Sequence, residues 1–289
     1  MNKISIKNRN IGHGYPTYVV AEVGNNHNGD INLAKELINQ AKLSGADAVK
    51  FQVKDIESCF SQKLLDMPYT NENSYGKTYR EHKQFLELSY EQYSDLNNYA
   101  IENDIDFFAT PFDINSAKFL NDINVDVYKI SSFHTTKHNL IDRICSFNKP
   151  IIMSTGMTTS EELDESVSIL EKNNSKFALL HCVSSYPVEY DDVNLSIIKE
   201  LEEKYNCVVG YSGHEMGTTV AACSIFFGAS IIEKHFTLNN KMKGSDHLFS
   251  LEPSQFKQLV DEVKLFERVV GNSKKRLLEC ELAMRIKNL

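Results

Sequence analysis

The sequence predicts a single (β/α)8 TIM barrel over residues 1–289, and three observations carry that prediction. Short apolar runs alternate with amphipathic stretches eight times. Each run is nearly continuous in Val, Ile, Leu, Ala and Phe, and the eight units fill about 270 residues. Continuous apolar strands joined by helices belong to parallel sheets covered on both faces, and eight such units in that length match a closed barrel. A doubly wound open sheet is the rival architecture. The first strand is followed by no G-x-G-x-x-G turn, which argues against it.

The units run in order. "TYVVAEVG" is the first strand; after Asp30, Leu33, Leu37 and Ala41 recur every four residues along "INLAKELINQAKLSG", and Gly45 stops the helix. Asp30 or Asn28 caps that helix. "DAVKFQ" precedes a helix at 89–102, "DFFAT" one at 113–121, and "VDVYKI" one at 138–146. "PIIMST" leads into a capping box from Thr159 to Glu162. "FALLHC", "CVVGYS" and "SIIEKHF" precede helices at 194–204, 217–227 and 253–268. Residues 55–80 form an unusually long connection rich in polar and aromatic residues, which predicts a lid. No Gly/Ser linker or low-complexity tract marks a second domain.

With 42% hydrophobic residues the chain can bury a full core. A formal net charge of -8 argues against a nucleic-acid partner, which needs clustered Lys and Arg to displace counterions. "MNKISIKNRN" lacks the apolar core of a signal peptide, and no stretch approaches the roughly 20 apolar residues of a membrane span, so a cytoplasmic protein is expected. The six cysteines, at 59, 145, 182, 207, 223 and 280, form no CxxC pair and fit reduced thiols acting as small apolar residues.

In a (β/α)8 barrel the reactive groups sit where strands end. Those ends carry Glu22, Lys50 with Gln52, Thr110, Lys129 with Ser132, Ser154, His181, Ser184 and Tyr186, Ser212 with His214, and His235. One buried Lys can be a snorkelling side chain. Two that end strands of one barrel converge, which is costly unless an anion sits between them. The hydroxyls of Thr110, Ser132, Ser154, Ser184 and Ser212 are suitable donors to phosphate or carboxylate oxygens, so a small, multiply charged anionic substrate is expected. His214 and His235 end neighbouring strands and suit a catalytic divalent metal with open positions. The alternative is that His214 only hydrogen-bonds within its turn and that Lys234 or Glu233 is the working residue of "EKHF". Glu22 and Asp246 are carboxylates placed for acid/base chemistry.

Taken together, these stretches resemble the sialic acid synthase family. They include "AEVGNNHNGD", "GADAVKFQ", "PYTNENSYGKTYREHK", "ATPFD", "YKISS", "MSTGM", "HCVSSYPVEYDDVNL", "GYSGHEMG", "EKHFTL" and "KGSDHLFSLEP", in one order over nearly the whole chain. The resemblance implies a cytoplasmic transferase that condenses phosphoenolpyruvate with an aldose such as an N-acetylhexosamine, giving a nonulosonic acid. It implies phosphoenolpyruvate contacts at Lys50, Thr110, Lys129, Ser132, Ser154, Ser184 and Ser212, and a Mn or Mg ion on His214 and His235. Glu22, Gln52, Tyr186 and Asp246 would touch the acceptor sugar, with Glu22 handling a proton.

Two departures stand out. His134, in "SSFHTT", occupies a substrate-binding position where the family usually has an acidic residue. The family's C-terminal antifreeze-like domain is expected to be absent after "AMRIKNL". A different aldose, or a separate protein that replaces that domain and closes the site, would compensate, and a homo-oligomer is expected. A metal-dependent pyruvate aldolase or lyase shares the barrel and histidines but has no need for so many phosphate-type donors. A non-catalytic sugar-binding barrel is disfavoured by the retained lysines, serines, histidines and Glu22.

Overall fold

Two short strands precede the predicted units. β1 (Lys3–Ile6) and β2 (Arg9–Gly12) pair antiparallel, with Ile4 opposite Ile11, around a turn containing Lys7 at φ 48°. The computed structural model, which describes residues 2–271 and 274–287, then enters the barrel. Its strands are β3 (Tyr18–Gly24), β4 (Ala48–Val53), β5 (Asp106–Pro111), β6 (Tyr128–Ile130), β7 (Ile151–Ser154), β8 (Phe177–Cys182), β9 (Val208–Gly213) and β10 (Ile231–His235). They form one parallel sheet in the order β5-β4-β3-β10-β9-β8-β7-β6. β5 and β6, at the ends of that order, meet side by side and bring the sheet round into a nearly closed barrel.

Successive side chains of a strand point to opposite faces, and the buried residues divide accordingly. Val19, Ala21 and Val23 of β3, Val49 and Phe51 of β4, and Ile232 of β10 pack outward against the helices. The alternate residues, Tyr18, Val20, Ala48, Phe108, Val127, Ile152, Ala178, Leu180, Val208 and Ile231, pack inside with Ile4, Ile6 and Ile11 of the hairpin. The hairpin therefore plugs one end of the barrel. Gly210 is also inward, and a Cβ there would lie 2.4 Å from the Ile231 carbonyl and 2.6 Å from Leu180 Cδ2.

The helices follow the predicted order. Asp30 caps Ile31–Leu43 by accepting from the Asn32 and Leu33 amides, and Thr159 and Glu162 form a capping box on Ser160–Lys172. The helix expected at 217–227 is a short α-helix, Thr219–Cys223, continued by a 3-10 turn to Phe227 and stopped by Gly228 at φ 101°. The long connection is more ordered than its composition suggests. It holds two single-turn helices, Ile56–Cys59 and Gln62–Leu65, and a bridge from Pro68 to Thr78. A further helix, Tyr79–Leu86, opens on a Thr78/Glu81 capping box. Arg80 ties these pieces together through Glu57, Gln62 and Asp66.

Candidate active site

Above the apolar layer, every strand turns polar or sulfur-bearing at its next inward position. Those residues are Glu22, Lys50, Thr110, Lys129, Ser154, Cys182, Ser212 and Glu233, none more than 6% exposed. Gln52 and His235 lie one inward step further out, His214 follows the end of β9, and all of these groups except Thr110 line a cavity of about 560 Å³. Ser132, His134, Tyr186 and Asp246 complete the predicted residues that line it.

Two predicted residues sit just behind that lining. Thr110 lies 3.5 Å from the Lys50 ammonium. Ser184 lines an adjoining cavity, and its buried Oγ has no hydrogen-bond partner among the described residues. Gly156 explains the crowding there: a Cβ would lie 2.6 Å from Ser184 Oγ and 2.8 Å from Ser132 Oγ, while the Gly156 amide donates to Ser132 Oγ at 3.0 Å. Ser154 accepts from Lys129 at 2.6 Å. This side of the cavity is a nest of short donors beside an ammonium group, with one hydroxyl left over.

The two lysines converge as expected, but the chain itself supplies an anion between them. Glu233 Oε1 is 3.3 Å from Lys50 Nζ and 3.5 Å from Lys129 Nζ, and it accepts from Ser212 at 2.9 Å. Glu22 completes the network, 3.1 Å from Lys50 and 2.8 Å from the Gln52 amide. Burial works against ionising either carboxyl. At Glu233 the two ammonium groups outweigh burial and hold the carboxyl well below its usual range. At Glu22 burial wins over Lys50, and the carboxyl is held above its usual range. Two carboxylates in one site thus have opposed proton affinities, the pattern that separates a fixed charge from a proton carrier. Lys50 is raised, Glu22 and Glu233 outweighing burial, whereas burial keeps Lys129 lowered.

His214 and His235 face each other with ring centroids 5.4 Å apart, against Phe249 and Tyr186. His214 Nδ1 lies 2.8 Å from the Val183 carbonyl, which sets Nδ1 as the donor and leaves Nε2 with a lone pair. His235 Nδ1 is buried without a hydrogen-bond partner among the described residues. Two imidazoles with unused nitrogens suit a divalent ion with open positions. No group of three or more His, Cys, Asp or Glu side chains able to hold a metal occurs among the described residues. The carboxylate after His214 points elsewhere. Glu215 pairs with the fully buried Lys234 at 3.0 Å and accepts from Tyr211, and Lys234 also donates to the Glu215 carbonyl. Lys234 faces the helix layer and anchors the turn that carries His214.

His181 does not reach the cavity. It is an outward residue of β8 whose Nε2 bonds the Val193 carbonyl, while Cys182, expected only as an apolar filler, lines the site. Glu233 is the main residue that strand-end inspection undervalued. It lies two residues before His235 on one strand, so period-two alternation places both inside and Lys234 outside. The long connection contributes Cys59, Phe60 and Tyr79 to one wall, and Lys83 joins them from the helix Tyr79–Leu86.

Fold and site together define a (β/α)8-barrel enzyme whose chemistry occupies the upper interior of the barrel. The NeuB family model matches residues 37–275. The chain is 39% identical over 274 residues to the N-acetylneuraminate-9-phosphate synthase of Homo sapiens, covering 94% of this chain and 76% of that protein. It is 38% identical to the N,N'-diacetyllegionaminic acid synthase of Campylobacter jejuni, covering 92% and 80%. The crystal structure of an N-acetylneuraminic acid (sialic acid) synthetase from Leptospira borgpetersenii in complex with citrate superposes with TM-score 0.86 at 32% identity, covering 99% of this chain and 96% of that one. The chain belongs to the NeuB family, the sialic acid synthases.

Proposed function

We propose that this barrel condenses phosphoenolpyruvate with an aldose of the N-acetylhexosamine type, forming a nonulosonic acid and releasing phosphate by C–O cleavage. The observation that carries the reading is the polar inward layer. Lys50, Lys129, Ser132, Ser154 and Ser212 line one end of the cavity, with Thr110 beside Lys50 and, in the adjoining cavity, a Ser184 Oγ that has no hydrogen-bond partner among the described residues. These groups bind the phosphate and carboxylate of phosphoenolpyruvate and neutralise charge as it shifts.

The π electrons of the C2–C3 double bond form the new bond to the aldehyde carbon, and the carbonyl oxygen takes a proton. Glu22, held protonated more readily than an ordinary carboxyl, supplies that proton. Water then adds at C2, and the C–O bond to phosphate breaks to leave a ketone. Glu233 stays ionised throughout and keeps both ammonium groups in place. Gln52, Tyr186 and Asp246 orient the sugar. His214 and His235 would hold a Mn or Mg ion, which would supply Lewis-acid polarisation of the aldehyde.

The test is phosphate release from phosphoenolpyruvate with Mn, screened against N-acetylmannosamine, diacetamido hexoses and arabinose 5-phosphate. Release with one sugar, a matching keto-acid mass and loss on chelation are expected. Activity with pyruvate in place of phosphoenolpyruvate would replace this reading with an aldolase, and full activity in a His214→Ala/His235→Ala double variant would remove the metal.

A further inference from the structure

Of the stretch "AEVGNNHNGD" the chemistry above uses only Glu22, and Asn26, two residues past the end of β3, is left without a role. Its side chain is 2% exposed. A primary amide is costly to bury unless its hydrogens are bonded, and here both are: Asn26 Nδ2 donates to the Phe236 carbonyl at 2.9 Å and to Ser250 Oγ at 2.9 Å. Both acceptors belong to one loop. That loop leaves the end of β10 at Phe236 and returns at Leu251, and its base is closed by the Leu251 amide on the His235 carbonyl at 2.8 Å and the Thr237 amide on the Leu251 carbonyl at 3.0 Å.

Asp246 rides on this loop and reaches the cavity. Its carboxylate converges with Glu22 and Gln52 around Gly24, where a Cβ would lie 3.2 Å from Glu22 Oε1, 3.3 Å from Gln52 Nε2 and 3.7 Å from Asp246 Oδ2. Lys241, Lys243, Ser245 and Leu248 around it are exposed, so packing does little to fix that carboxylate. Asn28, Asn73 and Tyr75 hold the loop at Lys243 and Gly244. From inside, the buried Ser250 Oγ donates to the Asp246 carbonyl at 2.6 Å. The direction of this relay is fixed. A carbonyl only accepts, so Asn26 must turn its NH2 toward Phe236; the single Ser250 hydrogen goes to Asp246, so that hydroxyl must accept from Asn26. Asn26 also hangs from the strand that carries Glu22, with its own amide on the Val23 carbonyl at 2.9 Å. The relay therefore sets one carboxylate relative to the other.

Resting on the synthase reading, we infer that Asn26 is a positioning residue that acts through Ser250 to place Asp246 beside Glu22 and Gln52. It governs the fit of the acceptor sugar and has no part in holding phosphoenolpyruvate, whose donors Ser132, Ser154 and Ser184 follow β6, β7 and β8.

The test follows phosphate release with whichever of N-acetylmannosamine, the diacetamido hexoses and arabinose 5-phosphate wild type accepts. Asn26→Leu removes both donors and is expected to lower kcat/KM for the sugar by about 10- to 100-fold, the scale of a misplacement of about 1 Å, while calorimetric affinity for phosphoenolpyruvate is unchanged. Ser250→Ala, which keeps the bond from Asn26 to Phe236, lowers it by about 10-fold. In an Asp246→Ala background either change is expected to cost almost nothing further, because nothing is left to position. A full-sized loss in that background, or a matching loss of phosphoenolpyruvate affinity, overturns the assignment. Should Asn26→Leu fail to melt cooperatively, Ser250→Ala carries the same cycle. If wild type releases phosphate with none of these sugars, the synthase reading has failed instead. Hydrogen exchange then decides the relay separately: faster exchange at 242–250 in Ser250→Ala, with 18–24 unchanged, is expected, and equal exchange refutes it.

Discussion

Inside the barrel the same eight strands build two opposite environments one pleat apart. The lower layer, Tyr18, Val20, Ala48, Phe108, Val127, Ile152, Ala178, Leu180, Val208 and Ile231 with the hairpin isoleucines, is a dry plug. The layer above it holds Glu22, Lys50, Lys129 and Glu233 in one ion network, with hydroxyl groups around it. Shape and volume determine the lower layer, so related apolar side chains can substitute there. Charge balance determines the upper one, where each ionised group is tolerated only because its partners are present. The fold and the chemistry are therefore separated by a single inward step along each strand.

The most severe break moves a charge down one step. Val20→Glu places a carboxyl in the dry layer without a partner and is expected to cost about 4 kcal/mol or more of folding stability, read from urea denaturation. Next comes removal of the shared counter-ion. Glu233→Ala leaves Lys50 and Lys129 facing each other and costs about 3–5 kcal/mol, with phosphate release lost; Glu233→Asp, keeping the charge, recovers part of the stability. Lys129→Met removes the contact to Ser154 and lowers kcat/KM for phosphoenolpyruvate by about 100- to 1,000-fold while the chain still melts cooperatively.

A gentler contrast comes from pH. Burial, then Lys54, lower Lys83 to about 8 against the opposing pull of Asp246 and Glu87. Below that pH Lys83 is charged, and above it the charge is lost. The kcat/KM for phosphoenolpyruvate, an anion drawn into the cavity that Lys83 lines, is expected to fall as pH rises past about 8, and Lys83→Arg to flatten that fall. The smallest effect belongs to the lower layer. Ile152→Val removes one buried methyl and costs about 1 kcal/mol, with phosphate release unchanged per folded molecule.

The barrel was legible because its outward strand residues and helix faces repeat one pattern, and that pattern is local. Asp30, the Thr159/Glu162 box and the strand runs could each be recognised from a few neighbouring residues. The N-terminal hairpin was not, because "KISI" and "RNIG" are four-residue strands whose value lies in the distant barrel end that they plug. Strand ends identified Lys50, Lys129, His214 and His235, but sequence spacing does not report who neutralises whom. Glu233 lies 183 positions from Lys50 in the chain and 3.3 Å from it in space. His181 shows the converse error: a polar residue near a strand end that alternation turns away from the cavity. Lys54 and Lys83 flank the 55–80 connection, whose composition predicts polarity but not which way the side chains beside it point.

Isotope transfer from water tests the proposed condensation most directly. With phosphoenolpyruvate, Mn and the accepted sugar in oxygen-18 water, the label is expected at the new C2 oxygen of the keto acid and not in the released phosphate. Label in the phosphate, or phosphate released at the same rate without any sugar, would mean that the polar layer hydrolyses a phosphate ester and does not join two substrates.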